Sequence, residues 1–328
     1  MVNDISEWSS RISTKLSACR EGELIKAFYS SLTGAITTNS ALASVPMDDH
    51  LCHRGHAVFD TCTLAKGRIY RLRTHIDRFL ASAHGARIDP PLSRSEIENI
   101  ILHTAAASGL KDGSVRFWLS AGPGDFSIVP KQGSSSFYCV IFVGSALQHE
   151  MGKAPPAISE VTVRDVPLKP PALSSIKTNN YLLNSLTALR ARDLGGTFGI
   201  LVDEEGFIAE SCVLNVSFVL PDKTLVTPTF ARALNGTTVR KCLEFAEPKL
   251  IAEGLIKEAQ QRPIAEEEAH TAVEIFLTGG DLHLYAVTSW DGEPVGDGQV
   301  GPVATRLLSA LEDEAMHGSS EHLQVPYS

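Results

Sequence analysis

Short apolar runs of strand character alternate along this chain with longer stretches whose apolar residues recur at helical spacing. Leu72, Ile76, Phe79, Leu80 and Ala83 predict the buried face of one helix. Ile97, Ile100, Ile101 and Ala105 predict another, opened by the capping-box pair Ser93 and Glu96. A third, over residues 181–194, carries Leu182, Leu183, Leu186, Ala188 and Leu189 and stops at Gly195-Gly196. Thr74 and Asp77 form a further capping-box pattern, expected to start the helix that holds Ile76, and residues 302–316 read as a terminal helix. Strands are expected at 36–38, 57–64, 68–71, 114–119, 137–143, 161–166, 198–202, 207–210, 213–220 and 272–277. Lys66-Gly67 and residues 203–206 supply the turns of two hairpins. Residues 7–31 read as a pair of accessory helices with Trp8, Ile12, Leu16, Leu24 and Phe28 as contacts, and the tail from 317 as unstructured.

This mixture implies an α+β chain, and 328 residues suffice for two domains with substantial cores. The polar, turn-rich stretch Gln148 to Pro156 marks the boundary. The expected division is a helical extension 1–33, a small α/β domain 34–150, a larger domain 156–316 and a tail 317–328. Hydrophobic residues at 43% and charged ones at 20% fit a soluble globular protein. A net charge of −9 without a Lys/Arg cluster argues against a nucleic-acid partner, and no apolar run is long enough for a membrane helix. Six cysteines without CxxC pairs read as reduced thiols, and the polar first residues exclude a secretory signal; a cytoplasmic location follows, or a plastid one for a trimmed precursor. His50, Cys52, His53 and His56 crowd together, but no second ligand pair follows, so no metal is expected.

Two residues carry the candidate chemistry. Lys177 follows the proline-rich run Pro167, Pro170, Pro171, where the chain is not yet helical and an amine can project into a cleft. Glu210 ends an apolar strand. A lysine and a carboxylate so placed suit a pyridine aldehyde: the lysine holds the aldehyde as a Schiff base, and the carboxylate keeps the ring nitrogen protonated. Isolated Lys and Glu are usually solvated, so this spacing alone is weak.

The motifs Lys177-x-x-Asn180-Tyr181 and Glu210-Ser211-x-x-x-Asn215 resemble the signatures of the fold type IV pyridoxal-phosphate enzymes. That family holds the branched-chain and D-amino-acid aminotransferases and aminodeoxychorismate lyase. Four blocks, 48–61, 116–126, 174–184 and 206–220, are most similar to plant-type D-amino-acid transaminases. The resemblance implies a two-domain fold with pyridoxal 5′-phosphate in the cleft, and a homodimer. It implies that Lys177 is catalytic and that Tyr181, Glu210, Gly236, Thr237, Thr238, Thr278 and Gly279 contact the cofactor. Asn215, costly inside an apolar strand unless hydrogen-bonded, is either another contact or a structural tie. Arg78 lies about 200° from Ile76 around the helix, which alone reads as a solvated arginine. The family's His-x-x-Arg pattern, here His75 to Arg78, instead implies a phosphate ligand. Relatives carry Gly-Asp-Gly where this chain has Arg54-Gly55-His56, which brings larger, positively chargeable side chains toward the substrate.

The implied activity is transfer of an amino group from a D-amino acid to a 2-oxo acid. Aminodeoxychorismate lyase, an (R)-selective amine transaminase and a branched-chain transaminase are the alternatives. Bacterial D-amino-acid enzymes trap the substrate carboxylate with Arg-x-His in one loop. Here that loop, 122–127, has no cation and one carboxylate, Asp125. The substrate contacts expected instead are His53, Arg54, Phe59, Arg116, Trp118 and Gly280.

Overall fold

A computed structural model describes residues 4–19, 24–143, 151–280, 283–317 and 321–327. The chain divides into two units, residues 1–148 with 176–180 and 318–328, and residues 149–175 with 181–317. Gln148, expected to open the boundary, lies outside the described residues. The segment carrying Lys177 therefore belongs to the first unit rather than the second.

The first unit starts with helix α1 (Ile5–Cys19) and is built on strands β1 (Ile25–Ser30), β2 (Ala35–Thr37), β3 (Ala57–Ala65), β4 (Arg68–Ile69), β5 (Gly113–Ser120) and β6 (Ser136–Phe142). With a terminal strand, Leu323–Gln324, they form one antiparallel sheet in the order Leu323–Gln324, β4, β3, β5, β6, β1, β2. The short helix α2 (His50–His53) precedes β3, and helices α3 (Leu72–Gly85) and α4 (Arg94–Ser108) supply the cover. Val58, Cys62 and Leu64 of β3 alternate onto the face that packs with Ile76, Phe79 and Ala83 of α3 and Ile97, Ile101 and Ala105 of α4. The Lys66-Gly67 turn has positive φ at both residues, 47° and 75°, as a tight hairpin requires.

Three expectations fail in this unit. The second accessory helix is β1, an inner strand whose last four residues are buried. The tail is not unstructured: Leu323–Gln324 pairs with β4, and Val325 is buried. The Thr74 capping box does not form, because α3 begins at Leu72 after Arg71 in the left-handed region. Arg71 is buried, donates its backbone N–H to the His322 ring and pairs with Glu321 at 2.8 Å, so the tail sets where α3 starts.

The second unit carries β7 (Ala157–Glu160), β8 (Thr162–Val163), β9 (Ile200–Val202), β10 (Ile208–Ser211), β11 (Asn215–Val219), β12 (Thr224–Thr227), β13 (Glu258–Gln261), β14 (Glu274–Gly279), β15 (His283–Trp290) and β16 (Glu293–Pro294). A small sheet runs β10, β9, β8; the larger runs β13, β12, β11, β14, β15, β16, with β7 also on β15. Its helices are α5 (Pro171–Ser174), α6 (Leu182–Asp193), α7 (Thr237–Phe245), α8 (Glu266–Ala269) and α9 (Pro302–His317). The run before Lys177 thus contains one helical turn, with Pro171 at its start where a missing N–H costs nothing. Glu274, at the head of β14, caps α9 by accepting from the N–H groups of Val303 and Ala304. Among the described residues, no helix is long and apolar enough to cross a membrane.

Candidate active site

Lys177 is held by backbone on both sides. Its N–H donates to Ser82 Oγ at 3.2 Å, and its carbonyl accepts from the Phe59 N–H at 2.9 Å. Thr178 bridges to Val58, Asn179 N–H donates to the Ala57 carbonyl, and the Asn180 amide donates to the Gly55 carbonyl. The segment thereby extends the β3 edge beyond the two residue pairs that β4 covers. The Lys177 ammonium lies 4.7 Å from the centre of the Phe59 ring.

Phe59 and Thr61 alternate onto one face of β3 and stand opposite Trp118 and Arg116 of β5. Arg116 donates to Thr61 Oγ1 at 2.9 Å and lies 5.6 Å and 5.7 Å from the Phe59 and Phe142 rings. Arg54 is exposed and directs its guanidinium to the backbone carbonyls of Phe126, Ser127 and its own neighbour His53. His53 meets the Asp48 carbonyl through Nε2 at 3.1 Å, and its Nδ1 has no partner. Burial, then the neighbouring His53, His56 and Arg54, push the His50 pKa down. The crowded histidines do not converge on one point: His56 faces the Ala86 carbonyl and Cys52 is exposed. Among the described residues, the group able to bring three ligand atoms together is Glu266, His270 and Asp291 in the second unit.

Arg78 is not the solvated arginine that periodicity alone predicts, since only 15% of its side chain is exposed. Its Nε and Nη2 donate to the two oxygens of Asp60 at 2.8 Å and 2.7 Å. Asp60 is 0% exposed, and its Oδ1 also meets His75 Nδ1 at 2.9 Å and the Thr61 N–H at 2.7 Å. Burial alone would push the Asp60 carboxyl up; Arg78 and then His75 outweigh it and hold it well below the usual range. The helix flank that looks polar in the sequence is thus occupied by Asp60 of β3 at Arg78 and by the 176–180 segment at Ser82.

In the second unit, Glu210 and Asn215 hold the two sides of one residue. Glu210 Oε2 accepts from the Leu234 N–H at 3.0 Å, and the Asn215 amide donates to the Leu234 carbonyl at 2.9 Å. The structural tie expected as one option for Asn215 is therefore present. Gly236 is the N-cap of α7 and provides no side-chain cap; Thr237 and Thr238, in its first turn, are buried. A β-carbon on Gly236 would stand 1.9 Å from Asn215 Oδ1. Thr278 lies directly opposite Asn215 across β11 and β14, and its hydroxyl is buried with no partner. Gly279 follows it in β14, packed so that a β-carbon would meet Leu214 at 2.6 Å, and Gly280 follows with φ 54°. A helix N-terminus without a side-chain cap, two buried threonines and an orphaned buried hydroxyl fit an anionic group such as a phosphate. Tyr181 carries the Lys169 ammonium 4.8 Å from its ring centre. Burial lowers the Lys169 pKa, while Glu210 acts in the opposite sense.

Residues 57–290 match the family described as amino-transferase class IV. The chain belongs to the class IV aminotransferases. It is 37% identical over 322 residues to the chloroplastic D-amino-acid transaminase of Arabidopsis thaliana, covering 97% of this chain and 84% of that protein. It is 23% identical over 273 residues to the D-alanine aminotransferase of Bacillus licheniformis, covering 83% of this chain and 92% of that one. In fold it is similar to the branched-chain amino acid aminotransferase of Thermobaculum terrenum, solved in its pyridoxal-phosphate holo-form, at a TM-score of 0.75 and 20% identity over 91% of this chain and 96% of that one. This class IV aminotransferase is thus a pyridoxal-phosphate-dependent enzyme of fold type IV, as the motifs imply. Sequence reasoning named Arg78 with His75 but missed Asp60, which pairs with both, Ser82, which ties the Lys177 backbone, and Lys169 beside Tyr181. One signal was available, because an aspartate inside the apolar run 57–64 must find a cation if it is buried.

Proposed function

We propose that this enzyme moves the amino group of a D-amino acid to a 2-oxo acid such as 2-oxoglutarate or pyruvate. The observation that carries this reading is the 37% identity to a D-amino-acid transaminase along nearly the whole chain. When bound, pyridoxal phosphate supplies an aldehyde carbon for the donor nitrogen and a ring that accepts the electrons of the broken Cα–H bond. Lys177 would hold the aldehyde through its amine, and its Nζ would serve the donor Cα proton as base and then as acid. Glu210 would keep the ring nitrogen protonated. Arg78, Gly236, Thr237, Thr238 and Thr278 would hold the phosphate and so fix the ring. Tyr181 and Gly279 would complete the cofactor's contacts.

We assign the substrate carboxylate to Arg116 in preference to Arg54. Arg116 stands on the same sheet face as Phe59 and Trp118, and the Lys177 ammonium lies over Phe59; Arg54 is committed to loop carbonyls. His53 and Gly280 complete the substrate side. A homodimer fits the uncovered apolar stripe of α6, where Leu182, Leu186 and Leu189 are exposed in the single chain. A reducing compartment, either cytoplasm or plastid, suits Cys52, Cys139, Cys212 and Cys242, which are thiols outside any disulfide.

One observation favours a second reading. Loop 122–127 holds Asp125 and no cation, which suits an (R)-amine without a carboxylate. A half-reaction decides between them: mix the yellow holoenzyme with D-alanine, L-alanine, L-leucine or (R)-1-phenylethylamine and follow conversion of the cofactor band. D-alanine should convert it fastest. Conversion by the amine alone would replace the D-amino-acid reading, and conversion by L-leucine alone would make this a branched-chain enzyme.

A further inference from the structure

Asp60 is a fully buried carboxylate with no solvent to stabilise it, and it is shared by three donors on two elements. The Arg78 contact is two-pointed, through Nε and Nη2, so it fixes the plane of the guanidinium as well as its position. His75, one helical turn before Arg78, joins the same oxygen and lies 3.4 Å from Arg78 Nη2. An arginine on a flexible four-bond stem would otherwise lose rotamer freedom on meeting an anion. One already clamped along an edge has lost it during folding, which is the preorganisation that raises affinity without a new contact.

We propose that Asp60 and His75 are positioning residues for the cofactor phosphate, acting only through the orientation they impose on Arg78. This rests on the assignment of Arg78 to that phosphate. Neither residue needs to touch the cofactor. The arrangement predicts an effect on the phosphate's share of binding and none on the ring's share.

The test compares pyridoxal phosphate with pyridoxal, which lacks the phosphate, on apoenzyme, with dissociation constants read by titration. Arg78→Ala should weaken pyridoxal phosphate by at least tenfold and leave pyridoxal within threefold. Asp60→Asn keeps the shape but removes the charge and the two-point acceptor; it should reproduce most of that selective loss. In an Arg78→Ala background, Asp60→Asn should add less than threefold. If Asp60→Asn weakens both ligands equally, or adds its full effect without Arg78, it is structural and the proposal is overturned. If Arg78→Ala leaves the ratio of the two constants unchanged, the assignment of Arg78 to the phosphate fails instead, and the two failures are distinguishable. Should Asp60→Asn not fold, Arg78→Lys answers the same question. It retains charge but cannot form the planar two-point pair, so it should lose at least fivefold in phosphate selectivity. A wild-type ratio for Arg78→Lys would show that a fixed plane is not required.

Discussion

Replacing Gly236 by alanine tests how closely α7 must approach Asn215. The backbone there, φ −69° and ψ 131°, is open to any residue, so alanine brings no conformational strain of its own. The added carbon is the whole perturbation. It would stand 1.9 Å from Asn215 Oδ1 and 3.2 Å from Val239 Cγ1, distances that cannot persist. Asn215 is buried and tied to the Leu234 carbonyl, so it cannot swing aside without losing that bond. A lost buried hydrogen bond costs about 1 kcal/mol, and forcing one carbon into packed surroundings about 1–3 kcal/mol. The total, about 2–4 kcal/mol, must appear as reduced stability, weaker cofactor binding or both. The assay is a pair of measurements on Gly236→Ala: the melting temperature of the apoenzyme and its dissociation constant for pyridoxal phosphate. If all of the loss fell on binding, the constant would rise at least about twenty-five-fold, since about 1.4 kcal/mol is tenfold. A variant with unchanged melting temperature and cofactor affinity would refute the close approach of Gly236 to Asn215.

Glu210→Gln should keep its tie to the Leu234 N–H and still take up cofactor, yet turn over about two to three orders of magnitude more slowly, because a neutral partner no longer holds charge on the ring nitrogen. Near-normal turnover would remove Glu210 from that role. Arg116→Ala should raise the KM for D-amino acids at least tenfold, the loss expected for a charge-assisted contact, while Arg54→Ala should change it less than threefold. The reverse order, read from steady-state kinetics, would move the carboxylate site to Arg54.

Much of the fold was legible because its elements bury one face. The period of 3.6 over α3 and α4, and the alternation in β3, emerge with the expected inner residues. Elements defined by distant partners were not. Four residues of β1 are buried in succession, so the run lacks alternation, and Leu24 and Phe28 imitate a helical repeat. The start of α3 depends on Glu321 and His322, some 250 positions later, which no local pattern can announce. The site shows the same division. Motif resemblance named Lys177, Glu210 and Arg78, while the partners that position them lie on other elements and appear only once the chain is folded. Of the apolar positions read on α6, Leu182, Leu186 and Leu189 are exposed in the single chain while Leu183 and Ala188 are half-buried, so none of them joins the core.

The proposed reaction requires Lys177 to be the amine that carries the cofactor. Reducing the holoenzyme with borohydride locks the cofactor onto whichever nitrogen holds it, and mass spectrometry of the digest locates the added mass. A single pyridoxyl-modified peptide spanning Ser174–Tyr181 is expected, with the label on Lys177. A label on Lys169, or on any lysine other than Lys177, would contradict it.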